Sequence, residues 1–143
     1  MSDTAAAPSR VLRFTKASMV VTDVGFLAYW AATLLALIPA EYAYKDYQNP
    51  VLSDWNYSFV LLDVLASVTG LSALRLGRCG AAGAQSLMLV SLALTSTAGL
   101  QAVAFWTLRG DFSPGWWLPN LFLLLFPIPG MVALVRTPTA RAA

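Results

Sequence analysis

The chain has no histidine and one cysteine, Cys79, in 143 residues. Without imidazole it lacks the commonest metal ligand and the usual neutral-pH base. A lone thiol excludes an internal disulfide, and Cys79, beside Arg78 in a loop, reads as inert. Charge is also scarce, at 11% of residues, where soluble domains carry about 25%. No phosphate loop, metal site or hydrolase triad is present. What remains is 58% hydrophobic, with a mean hydropathy of +0.66. Such a chain cannot cover a water-exposed globule with polar surface. Its apolar residues fall in long runs, which points to an all-α integral membrane protein. The net charge of +2 is no nucleic-acid signal, because the basic residues cluster where apolar runs end.

A bilayer core of about 30 Å takes about 20 apolar residues in a helix. The segments Ala17–Ala40, Trp55–Ala73, Ser86–Trp106 and Trp116–Val135 meet that length and predict a four-helix transmembrane bundle over residues 17–136. Residues 1–16 read as a flexible basic flank and residues 137–143 as a cytoplasmic tail. The apolar run after Arg10, Arg13 and Lys16 is too long for a signal-peptide core of roughly 7–15 residues, so it reads as a span. Basic residues crowd that flank, the second loop (Arg75, Arg78) and the tail (Arg136, Arg141). The first and third loops hold Lys45 and Arg109 against Glu41, Asp46, Asp54 and Asp111. The positive-inside rule then places both termini and the second loop in the cytoplasm. Trp55, Trp106, Trp116 and Trp117 sit at the opposite span ends, where indole favours the membrane interface.

Two acids interrupt the apolar runs, Asp23 in the first span and Asp63 in the second. A carboxyl in hydrocarbon costs several kcal/mol unless protonated, paired or wet, so both are candidate functional residues. By helical rise their depths differ by about 8 Å, which argues for two polar posts along one cavity and against a dyad sharing a proton. Trp30, seven residues after Asp23, falls at the depth of Asp63. Asn56, Phe59 and Ser67 share a face of the second span with Asp63, while Thr95, Gln101 and Trp106 of the third are expected to face the same space. Pro127 and Pro129 should kink the last span. Ser91, Thr95 and Gly99 form a small-residue stripe for close helix approach. The acidic first loop, with Tyr42, Tyr44 and Tyr47, reads as a solvated segment or as a lid.

The string Tyr44-Lys45-Asp46-Tyr47-Gln48-Asn49-Pro50-Val51-Leu52, followed by Trp55-Asn56-Tyr57-Ser58-Phe59 and Asp63, resembles the YvaD-like family of small bacterial four-span proteins. That likeness covers nearly the whole chain and implies the bacterial cytoplasmic membrane. A more distant resemblance is to the EXPERA superfamily of emopamil-binding and sigma-2-receptor proteins. It rests on Asp23, Pro50, Trp55, Ser58, Phe59 and Asp63, and it implies a pocket for sterols or amphiphilic amines. The sterol isomerases of that group use a His/Glu set, which a chain without histidine departs from. Small membrane terpene cyclases are similar in size, span count and buried acids.

These features point to an aromatic-lined acidic pocket for an isoprenoid- or sterol-like molecule, with neither cofactor nor metal. Catalysis there would be proton-initiated cyclisation or isomerisation, with Asp23 or Asp63 as the acid, Trp30, Phe59 and Trp106 lining the cation path, and Trp55 among the ligand-binding residues. A non-catalytic lipid-binding or accessory subunit, acting as a homo-oligomer or with a membrane-protein partner, fits the same residues. A small proton-coupled exporter is a third reading.

Overall fold

The computed structural model describes residues 9–137. The expectations for residues 1–8 and for the tail beyond Thr137, Arg141 included, lie outside them. Among the described residues seven helices follow one another: α1 (Arg10–Leu34), α2 (Ala40–Ala43), α3 (Pro50–Tyr57), α4 (Phe59–Arg78), α5 (Ala84–Leu108), α6 (Pro114–Leu125) and α7 (Pro127–Arg136). Together they give four helical passages long and apolar enough to cross a membrane, Arg10–Leu34, Pro50–Arg78, Ala84–Leu108 and Pro114–Arg136. Their outward faces carry exposed Val21, Leu61, Leu65 and Val135, side chains that hydrocarbon solvates and water does not.

The helix ends depart from the apolar runs for local reasons. α1 starts at Arg10, so Arg10–Lys16 is helical and not a loose flank; the Ser9 hydroxyl accepts from the Leu12 N–H as its cap. The same helix stops at Leu34, before the apolar run does. Ala36 turns left-handed at φ 53°, and the Leu37 N–H reaches back to the Ala32 carbonyl. Pro39 then bars continuation. The second passage begins at Pro50 and not Trp55, because Asn49 caps α3 by accepting from the Val51 and Leu52 N–H groups, with proline at the first helical position. Pro127 divides the fourth passage at Phe126, where the spacing predicts a kink.

α5 is the hub, packing on α4, α6 and α7, while α1 packs on α4 and α7. The small-residue stripe of α5 is shared between neighbours. The Ser91 hydroxyl donates to the Ala66 carbonyl of α4 at 2.9 Å, whereas Gly99 lies against the α6 backbone and the Ser96 hydroxyl donates to the Leu124 carbonyl at 2.9 Å. Eight residues of helix turn Ser91 and Gly99 about 80° apart, enough to address two partners. Gly130 seats α7 on Thr15 of α1. At that end of the bundle Met19, Ala73, Met88, Leu92, Phe126 and Leu134 form the buried core.

The opposite end is closed by a polar clasp. Lys45 of the first loop forms an ion pair with Asp111 of the third, donates to the Ser113 hydroxyl at 3.2 Å, and lies 5.1 Å from the Trp106 ring centre. The Trp117 indole donates to the Asp111 carbonyl at 2.9 Å, and the Tyr29 hydroxyl donates to the Ala43 carbonyl at 2.6 Å. The first loop is therefore bound down, with Tyr44 buried edge-on against Tyr57. The Lys45 ammonium, with the Ser113 N–H, holds the Asp111 carboxyl below the usual carboxylate range. A group lowered in the folded state adds stability above its unfolded value, and that contribution fades as pH falls towards the folded one. The apparent melting temperature should thus fall on acidification below the ordinary carboxylate range, and Asp111→Asn should flatten part of that fall. Identical acid profiles for the two proteins would rule the clasp out as a contributor.

Candidate functional site

Towards the clasped end, α1, α3, α4, α5 and α6 surround a cavity of about 240 Å³. Trp30, Trp55, Asn56, Phe59, Asp63 and Trp106 line it, with Phe26, Tyr29, Trp116, Pro119 and Asn120 among the other walls. Aromatic packing makes one side rigid. The Trp55 ring stacks on Phe105 at 3.9 Å and meets Trp106 edge-on at 5.8 Å and Phe59 at 4.9 Å. Trp55 and Trp106 line the cavity, as their expected place along the pocket has it, and Trp106 is buried.

Asp63 is the carboxyl on the cavity wall. Its Oδ2 accepts from the Trp30 indole N–H at 2.8 Å, while its buried Oδ1 has no partner. Helical rise put Trp30 at the depth of Asp63, and the indole closes that distance directly. The Ser67 hydroxyl, one turn along α4, donates to the Asp63 carbonyl at 2.8 Å and to the Asp23 carbonyl at 3.1 Å. Ser67 thus ties α1 to α4 and does not line the cavity.

Asp23 departs from the expectation of one cavity shared by two acids. It is 1% exposed and absent from the cavity wall. Its carboxyl is turned instead towards Gly70 of α4 and Ser91 of α5: a Cβ at position 70 would overlap Asp23 Oδ2 and lie 2.6 Å from Ser91 Oγ. Thr95 is buried away from the cavity as well, and Gln101 is exposed. Two residues beyond Gly99, Gln101 points about 200° away from the α6 contact.

Several wall residues escaped the sequence reading. Phe26 stands one turn before Trp30 on α1, so helix phase alone could have found it. Asn120 is the one amide inside the fourth apolar run, a polar signal of the same kind as the acids. Trp116 and Pro119 carried none, because their place depends on the kink after them.

The chain belongs to the family of unknown function DUF5360, whose model matches residues 15–141. It is 44% identical over 117 residues to the uncharacterized protein YvaD of Bacillus subtilis, covering 82% of this chain and 88% of that one. No solved structure matches the chain.

Proposed function

We propose that this DUF5360 protein holds a small hydrophobic molecule, isoprenoid- or sterol-like, inside the cytoplasmic membrane of a bacterium, with both chain termini on the cytoplasmic side. The ligand's one polar group docks on Asp63. The observation that carries this reading is the unpartnered Oδ1 of Asp63 in a wall otherwise built from indole and phenyl rings. Ligand sites pair an apolar lining with a few placed polar atoms in this way. The cavity, about 240 Å³, is smaller than the 300–1,000 Å³ or so of common drug-sized sites. It encloses the polar end and the first isoprene-sized portion of a ligand, not a whole sterol. The distant EXPERA resemblance agrees with this class of ligand.

One feature favours catalysis at the same carboxyl. Protonated on Oδ1, Asp63 would add its proton to an alkene or epoxide of the bound molecule. The electron pair left behind would reside on a carboxylate stabilised by the Trp30 N–H, and the carbocation would face Trp55, Phe59 and Trp106. Loss of a proton from the final cation would restore the acid.

In nanodiscs, farnesol, geranylgeraniol and cholesterol should be titrated against tryptophan fluorescence, and native mass spectra inspected for retained lipid. Asp63→Asn keeps an acceptor for Trp30 but removes the acid. A lost charge-assisted bond of about 1.5–3 kcal/mol should weaken the best probe about tenfold or more. Incubation with an epoxidised prenol separates catalysis from binding, since only catalysis yields a cyclic product. If no probe perturbs the fluorescence and no lipid is retained, the pocket reading is wrong.

A further inference from the structure

Both carboxyls are buried, yet their neighbours offer opposite chemistry. Asp63 receives an N–H from Trp30. Around Asp23 the hydroxyl hydrogens are committed elsewhere. Ser91 donates to the Ala66 carbonyl at 2.9 Å, and Ser67 donates to the main-chain carbonyls of Asp23 and Asp63. Neither Asp23 Oδ1 nor Oδ2 has a hydrogen-bond partner. Ser91 Oγ, its hydrogen already used, keeps acceptor lone pairs beside the Gly70 cradle that Asp23 Oδ2 occupies.

We propose that Asp23 is a proton-binding site built into the α1–α4–α5 interface: the carboxyl takes a proton from water, forming an O–H whose hydrogen is directed at the Ser91 hydroxyl oxygen. A place that presents acceptors and no donors suits a neutral acid and disfavours an anion. Nothing charged nearby alters this balance. On α1 the flanking titratable groups are Lys16 and Tyr29; on α4 they are Asp63, Arg75 and Arg78; α5 carries no charged residue, and α7 carries Arg136. None pairs with Asp23, and among the described residues the ion pair is Lys45–Asp111. The folded chain then binds one proton that the unfolded chain releases at neutral pH. By linkage, stability falls as pH rises above the ordinary carboxylate range and levels off once the folded carboxyl ionises, opposite in sign to the effect of Asp111. An ionised Asp23 would meet the Ser91 oxygen with no donor bonded to it. This site is separate from the ligand cavity and does not rest on it.

Infrared spectra of the full chain in nanodiscs at neutral pH test the assignment. A protonated-carboxyl C=O band component is expected in wild type and in Asp63→Asn, and that component should be lost in Asp23→Asn, whose amide supplies the missing donor at nearly the same size. The wild-type apparent melting temperature should fall as pH rises above the ordinary carboxylate range, with the fall reduced in Asp23→Asn. Carbon-13 carboxyl NMR on wild type gives a variant-free check, with an aspartate resonance remaining at its acid position at neutral pH. No band component lost in Asp23→Asn, matching pH profiles above the carboxylate range, or aspartate resonances all at their ionised positions would overturn the proposal.

Discussion

Gly99→Val should produce the largest loss of stability of any single substitution considered. A Cβ at position 99 would come 2.5 Å from the Asn120 carbonyl oxygen and closer still to the Leu124 nitrogen. Both are main-chain atoms of a packed helix, so no side-chain rotation relieves the clash. Ordinary overpacking costs about 1–3 kcal/mol because side chains give way. Here the α5–α6 seam itself must part, and the Ser96–Leu124 hydrogen bond parts with it. We expect a loss of about 3 kcal/mol or more, read as a collapsed melting temperature and a polydisperse gel-filtration profile in detergent. Gly25→Ala is the control, since nothing lies within 4 Å of its Cβ. Alanine in a helix interior should be neutral to mildly stabilising there, by less than about 1 kcal/mol. A Gly99→Val protein that melts with wild type would mean that α6 does not sit on α5 as described.

The second large effect is a coupling between Gly70 and Asp23. Gly70→Ala sets a methyl group onto Asp23 Oδ2 and 2.6 Å from Ser91 Oγ. Alone it should cost about 1–3 kcal/mol. Asp23→Ala removes one of the two obstacles, and in that background the Gly70→Ala cost should shrink to a fraction. Directly touching residues show coupling energies of about 0.5–3 kcal/mol. Chemical or thermal unfolding of the four proteins in one detergent measures the cycle. Additive losses would show that the Asp23 side chain does not occupy the Gly70 cradle, and the proton site would lose its geometry at the same time.

How far the residues foretell this arrangement can be judged from the two aspartates. Burial of both was legible, because each interrupts a run of apolar residues, and so was the shared depth of Trp30 and Asp63, which follows from helical rise; the hydrogen bond between them came from the packing. Their separation into two environments was not. It depends on Gly70, seven residues beyond Asp63 on α4, where a glycine gives no sign that the Asp23 side chain crosses to it. Gln101 failed for a related reason: a polar residue in an apolar run says that something is unusual, but only the helix phase relative to α6 says which way it points.

The amino-acid sequence alone determined the all-helical class, the four long apolar passages, the loops between them and the two acids inside them. These follow from one-dimensional quantities, namely run length, turn residues and the cost of charge in hydrocarbon. The tertiary structure decided which acid reaches the cavity, which small residue meets which helix, and that Trp55 stacks on Phe105 beside Trp106. Such choices rest on the rotation of each helix about its own axis. Close packing sets that rotation through contacts between residues far apart in the chain, and three bare glycines, Gly70, Gly99 and Gly130, mark where it was set.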